Sequence, residues 1–232
     1  MVNPSIAPSA RLTRVLLVDG QPVFLSGLAA LLDSQPTLTV CGQALGQAEA
    51  LALLRSAQPD LVISGISLRD GGGLDLTERV RKLQPSTTVL IISSADELTY
   101  AERALRSGAA GFVSKVEGEE LLLRAVQTVL GGDIHLSPRA ASAVLAPMMG
   151  RGRPSASATK EGHEALTNRE LQVFRLIGAG MSTREIAASL SLSVKTIASH
   201  RASIKRRLGI RHSTELVRRA TRWVIDREAS DD

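Results

Sequence analysis

Pro59 to Gly73 reads PDLVISGISLRDGGG. Its "DLVIS" portion is an apolar run too short for a helix, bounded by Pro59 and Gly65, and reads as a buried strand. The stretch "GLDLTERVRKLQ" follows with helical period. A strand handing over to an amphipathic helix is half of a βαβ unit, and the same alternation continues on both sides. Upstream come "RVLLVD" as strand, "PVFLSGLAALLDS" as a helix opened by Pro22, "LTVCGQA" as strand and "GQAEALALLRSAQ" as helix. Downstream come the strands "TTVLIISS" and "GFVS" and the helices "LTYAERALRSG" and "EGEELLLRAVQTVLGG". Five such units specify a parallel sheet with helices on both faces, the α/β doubly wound class.

In that class ligands bind outside the carboxyl ends of the strands. Those ends are Asp19, Gly20, Gly65, Ser93 and Lys115. The glycines of "RDGGGLD" lack the lysine and the spacing of a phosphate-binding P-loop. After Gly132 the regularity fails. "SPRAASAVLAPMM" can form a short helix, while "GRGRPSASATKEGHE" combines Gly, Pro, Ser and charge without apolar period and reads as a flexible linker.

The region beyond it is helical throughout. "TNRE" (Thr167 to Glu170) and "STRE" (Ser182 to Glu185) are capping boxes, and Ser193 and Ser213 are expected to cap two further helices. Four short helices, with Gly180 between the first two, specify a compact unit containing a helix-turn-helix. In "SVKTIASHRASIKRRLGI", Val194, Ile197, Ile204 and Leu208 share a face and are expected to point into the core. The opposite face carries Lys195, Ala198, Ser199, Ala202 and Lys205, with Arg206 beside it. Small residues let a helix sit deep in a major groove while Lys and hydroxyl groups meet phosphates and base edges. An ordinary solvated basic face has the same composition.

"LTNRELQVFRLIGAGMSTREIAASLSLSVKTIASHRASIKRRLGI" resembles the LuxR-type helix-turn-helix over its whole length. The resemblance implies a DNA-recognition helix from about Val194 to Arg207, with Lys195, Thr196, Ala198, Ser199, His200, Ala202, Lys205 and Arg206 at the DNA. His200 matches a family position and implies a phosphate or packing contact, not catalysis. The helix after Ser213, with Leu216, Ala220 and Trp223, then packs or dimerises, and core packing accounts equally well for Trp223.

"RVLLVDGQPVFLSGLAALL", "PDLVISGISLRDGGGLD", "TTVLIISSADELTYAERALRSGAAGFVSK" and "HLSP" resemble a flavodoxin-like response-regulator receiver domain. The two-domain order is that of NarL/FixJ-type response regulators. In that family two acidic residues after the first strand and an aspartate after the third bind Mg²⁺, and that aspartate accepts a phosphoryl group. A hydroxyl residue and a lysine sense it. Here Asp19 retains the first acid, Gly20 replaces the second, and Gly65 stands where the phosphoacceptor is expected. Ser93 and Lys115 retain the sensing pair, and Phe112 takes the switch-aromatic position. Glycine supplies neither a metal ligand nor a carboxylate nucleophile. Ser64 points to the opposite face of its strand. Asp60 lies at the strand's far end, roughly 15 Å away, and Asp70 in the following loop is the one nearby acid able to swing in. Lys115 is also able simply to pair with Asp19, leaving a remnant of the pocket.

The chain's 232 residues, 44% hydrophobic and 2% aromatic, suit two modest cores. The expected organisation is an N-terminal tail (1–13), a degenerate receiver (14–131), a linker with a short helix (132–163) and a helix-turn-helix domain (164–232). Residues 1–150 hold 12 Lys+Arg against 14 Asp+Glu and residues 151–232 hold 16 against 9, so the basic excess lies where DNA is expected. The lone Cys41 has no disulfide partner and reads as a structural thiol. Neither a signal peptide nor a membrane span is legible, and a cytoplasmic location is expected. The overall expectation is a non-enzymatic transcription regulator without cofactor or metal, acting on promoter DNA as a homodimer independently of aspartate phosphorylation. A protein or small-molecule effector at the receiver and RNA polymerase are the further partners considered. The alternatives are a response regulator phosphorylated at an unorthodox acceptor and an adapter that sequesters another protein.

Overall fold

The computed structural model describes residues 11–95, 97–146, 165–190 and 192–228. Five parallel strands form one sheet: β1 (Thr13–Val18), β2 (Leu38–Ala44), β3 (Leu61–Ser64), β6 (Thr88–Ser93) and β7 (Gly111–Ser114), in the order β2-β1-β3-β6-β7. Between β3 and the next helix the chain makes a small antiparallel hairpin, β4 (Ser67–Leu68) and β5 (Gly71–Gly72), which the sequence pattern did not announce. The helices are α1 (Pro22–Asp33), α2 (Gln47–Ala57), α3 (Gly73–Leu83), α4 (Glu97–Arg106) and α5 (Glu119–Leu130). All four residues of β3 are buried, as a central strand covered on both faces requires. The two faces have separate cores: Leu16, Val62 and Ile91 belong to one, Leu17, Ile63 and Leu90 to the other. Because every pairing in the sheet is parallel, the carboxyl ends of all five strands fall on one rim.

The stretch from residue 132 differs from its expected role. His135 bridges to Gly111, donating its amide to Ala110 O (3.0 Å) and accepting from Phe112 N (3.0 Å), so it covers the free edge of β7. Ser137 then caps α6 (Pro138–Leu145) and donates its own amide to Glu97 Oε1 at 2.9 Å. Thus residues 135–145 belong to the body of the sheet domain and do not form linker. The expected linker from residue 147 onward, the first ten residues of the tail and the last four of the chain lie outside the described residues.

The C-terminal body contains α7 (Asn168–Gly178), α8 (Thr183–Ser189), α9 (Val194–Arg207) and α10 (Ser213–Glu228). Both capping boxes form, and Ser193 caps α9 through Thr196 N. Ser213 is instead the first residue of α10, whose opening turn closes from Leu216 N to His212 O. Ile197 and Ile204 enter the core as their spacing requires; Val194 does not, and is 49% exposed in the first turn of α9. Phe174 and Trp223 meet edge to face with centroids 5.8 Å apart, which joins α7 to α10. Among the described residues no helix is long and apolar enough to cross a membrane.

Candidate functional site: a strand-end cleft and a recognition helix

Asp19 follows β1, and its carboxylate is almost wholly buried. Oδ1 accepts from Gln21 N at 2.9 Å, and Oδ2 lies 2.7 Å from Lys115 Nζ. Lys115 follows β7 and is itself only 11% exposed; its ammonium also donates to Gln21 Oε1 (3.1 Å) and sits 4.0 Å from the centre of the Phe24 ring. Three partners therefore hold this lysine, and two of them, Gln21 and Phe24, were not singled out from sequence because nothing in their local pattern marks them.

The carboxylate occupies the ground that a side chain at position 65 would take. A Cβ built on Gly65 falls 2.2 Å from Asp19 Oδ2, so the observed Asp19–Lys115 pair requires glycine there. The carbonyl of Gly65 in turn lies where a Cβ on Gly73 would be, at 1.8 Å. Gly20 is less confined: its Cβ would meet Ser67 O at 3.1 Å. Ser93 is buried and its hydroxyl accepts from Ala95 N (3.0 Å). Phe112, expected at the pocket, is 1% exposed and packs in the core, with no part in lining the cleft.

A hard cation such as Mg²⁺ is ill matched to this pocket. Among the described residues Asp19 is the one carboxylate lining the strand ends, and Lys115 already neutralises it, so this donor set lacks both the number and the charge of oxygens that Mg²⁺ requires. Asp70 is committed elsewhere: its oxygens accept from Gln47 N and from Ala48 N (3.0 Å), capping α2 across the hairpin. Asp60 likewise accepts from Arg14 N (2.8 Å) and Arg11 Nη2 (3.0 Å) at the opposite rim. Ser64 Oγ donates to Gly65 O (3.1 Å) and is fully buried.

The C-terminal body closes over this rim. Gln172 Nε2 donates to Ser67 Oγ, Arg169 Nη1 to Gly71 O (3.3 Å), and Arg103 Nη1 to Leu166 O (2.9 Å) and Asn168 Oδ1 (3.3 Å). Arg169 also donates to Gln172 Oε1 (2.6 Å) and Leu190 O (3.2 Å). Burial pulls its pKa down, opposed by Asp75 and Asp70. Between the two bodies lies a cavity of about 210 Å³, with Asp19, Ser93 and Lys115 on one side and Arg175 and Ser189 on the other.

On α9, Lys195, Ala198, Ser199, Ala202 and Arg206 are exposed, and Thr196 and Lys205 are half-buried. One outward face therefore carries nearly all the residues expected at DNA. His200 is turned partly inward. Burial lowers its pKa, the charge of Arg169 adds to that and Glu170 opposes it, so the neutral form of the ring is favoured over the ordinary case. Glu170 anchors the back of α9 by accepting from Ser203 Oγ (2.5 Å) and pairing with Arg207 (3.0 Å). Burial raises its pKa, but the hydrogen bonds from Ser203 and Thr167 and the charge of Arg207 outweigh that and hold it below the ordinary value.

Residues 15–127 match the response regulator receiver domain, and residues 164–220 match the bacterial regulatory proteins of the luxR family. The chain is 33% identical over 207 residues to the transcriptional regulatory protein MctR of Rhizobium johnstonii, an alignment covering 89% of this chain and 92% of that one. It is 30% identical to the oxygen regulatory protein NreC of Staphylococcus carnosus, over 88% and 94% of the two chains. This chain belongs to the LuxR-type response regulators. It is thus a DNA-binding transcription regulator of the two-component class, built as a flavodoxin-like sheet domain followed by a helix-turn-helix. Among solved structures, a LuxR-family response regulator from Aurantimonas is 28% identical and superposes with a TM-score of 0.55, covering 60% of this regulator and 99% of that chain. RcsB of Salmonella enterica serovar Typhimurium, solved on its promoter rprA, shares the fold at 21% identity, with a TM-score of 0.58 and coverage of 91% and 99%.

Proposed function

We propose that this regulator binds promoter DNA under the control of a pseudo-receiver, a receiver that does not use aspartyl phosphate. One observation carries the reading: at the strand ends the carboxylate of Asp19 is ion-paired to Lys115 and fills the space above Gly65, the position corresponding to the family's phosphoacceptor. The lysine that would sense a phosphoryl group is already satisfied, and a nucleophile is missing. Phosphorylation at Asp70 is disfavoured because both its oxygens cap α2. An adapter role is disfavoured by the exposed face of α9.

On this reading α9 is the recognition helix. Lys195, Lys205 and Arg206 meet phosphates, Thr196, Ala198, Ser199 and Ala202 face the bases, and His200 supports the helix from behind. The regulator acts as a homodimer on double-stranded DNA. Support comes from α10, where Leu216 and Ala220 are buried while Val217 and Ile225 remain exposed and apolar. An effector at the receiver replaces phosphate as the input, and RNA polymerase is the downstream partner.

The purified protein should acquire no phosphoryl adduct from acetyl phosphate and Mg²⁺, read by intact mass. Its oligomeric state and operator affinity should be the same with and without the donor. A stoichiometric adduct accompanied by tighter operator binding would overturn the pseudo-receiver reading.

A further inference from the structure

The cleft between the two bodies has a charge balance that the pseudo-receiver reading leaves unexplained. Among the described residues that line it, the charged ones are Asp19, Lys115, Arg69 and Arg175. Asp19 and Lys115 cancel each other at 2.7 Å. Arg69, from the β4–β5 hairpin, and Arg175, from α7, are left as two cations of like sign, both exposed, lining one small cavity from the two bodies. Neither guanidinium has a hydrogen-bond or ion-pair partner among the described residues, whereas nearby Arg169 and Arg103 are both engaged across the same interface. The hydroxyls of Ser67 and Ser93, which accept from Gln172 Nε2 and Ala95 N, keep their own protons to donate into the cleft, whereas that of Ser189 is given to Ile186 O. The cavity, about 210 Å³, is several times the ~30 Å³ share of one water molecule.

Two exposed cations brought to one cleft by different bodies repel only weakly through solvent, and an anion bound between them would turn that repulsion into two attractions. Guanidinium forks match the planar edge of a carboxylate or two oxygens of a phosphate, and two forks, one from each body, match a divalent oxyanion. We propose that this cleft is a reversible, noncovalent site for a small divalent oxyanion, a phosphate- or dicarboxylate-bearing metabolite, clamped between Arg69 and Arg175. The inference rests on the pseudo-receiver reading, since covalent phosphate at the strand ends would compete for the same space. It gives that receiver an input: the ligand's occupancy is written directly into how firmly the DNA-binding body is held, because half of the site belongs to each body.

The test is calorimetric titration of the full-length protein in chloride buffer at constant ionic strength, with inorganic phosphate in one arm and malonate in the other. Saturable binding at one site per chain is expected in at least one arm, and the stronger arm identifies the ligand class. R69Q and R175Q should each weaken it about tenfold or more, the worth of one charge-assisted contact, while R124Q on the far helix α5 should leave it unchanged. Ligand should also slow hydrogen exchange in α7 and in the β4–β5 hairpin together. Absence of saturable binding in both arms would overturn the proposal. So would binding that survives R175Q, because the site would then belong to the receiver alone. Inorganic phosphate cannot donate a phosphoryl group, so a negative titration leaves the pseudo-receiver reading intact, and an adduct from acetyl phosphate would sink that reading whatever the titration shows.

Discussion

Gly65 shows how one missing side chain rearranges its surroundings. With no Cβ at that position, Asp19 Oδ2 moves to within 2.2 Å of where one would stand and finds Lys115. Two charges that would each be costly to bury alone are thereby buried together, which is tolerable only because Gln21 and Phe24 complete the shell. Gly65→Ala must push the Asp19 carboxylate away and lengthen the pair. We expect a loss of about 1–3 kcal/mol in unfolding free energy, the usual cost of overpacking a filled site, measured by urea denaturation. An unchanged midpoint would show that the Asp19–Lys115 geometry does not constrain residue 65. Restoring an aspartate there faces the same obstacle, so Gly65→Asp displaces Asp19, itself an acid a metal would need. Gly20→Asp is sterically milder, its nearest neighbour at 3.1 Å being a backbone oxygen that must give slightly.

At the scale of elements, α9 is shaped by what lies behind it. Ser193 caps its start, Ile197 and Ile204 seat it in the core, and Glu170 of α7 reaches Ser203 and Arg207 to fix its rotation. A helix held on three of its turns presents its remaining face in one orientation, which sequence-specific reading of a groove requires. The Lys195→Ala and Lys205→Ala variants should weaken binding on every DNA sequence and each flatten the salt dependence by about one unit of slope. Ser199→Ala should instead change which sequences are preferred. Operator affinity measured against salt concentration decides this, and an unchanged double lysine variant would remove α9 from the DNA.

At the scale of the whole molecule, the two bodies are docked through Ser67, Gly71 and Arg103 on one side and Leu166, Asn168, Arg169 and Gln172 on the other. Docking uses the start of α7 and leaves Lys195, Ala198, Ser199, Ala202 and Arg206 exposed. The Arg103→Ala, Gln172→Ala double variant should therefore enlarge the particle in small-angle scattering yet change the affinity for a single operator half-site only about twofold, the scale of a surface substitution. A large gain in affinity would mean that the docked receiver masks the DNA face.

The alternating strands and helices, both capping boxes, the outward face of α9 and the absence of a carboxylate at residue 65 were all legible in the chain itself. Each is encoded within a few neighbouring residues, by period 2, period 3.6 or a hydroxyl three places before a glutamate. Other features depend on residues far apart in the chain and had no local signature. Asp70 caps a helix 22 and 23 positions upstream, where a loop acid able to approach the pocket was expected. Phe112 is drawn into the core and α6 onto the sheet domain, because an apolar ring and the apolar side of a short helix are stabilised wherever neighbouring elements leave room for them. The cleft lined by Arg69 and Arg175 exists because residues far apart in the chain meet across the two bodies, among them Gln172 and Ser67, 105 positions apart. Local propensity determined which elements form; the packing of those elements determined which side chains meet, and with it the chemistry available at the strand ends.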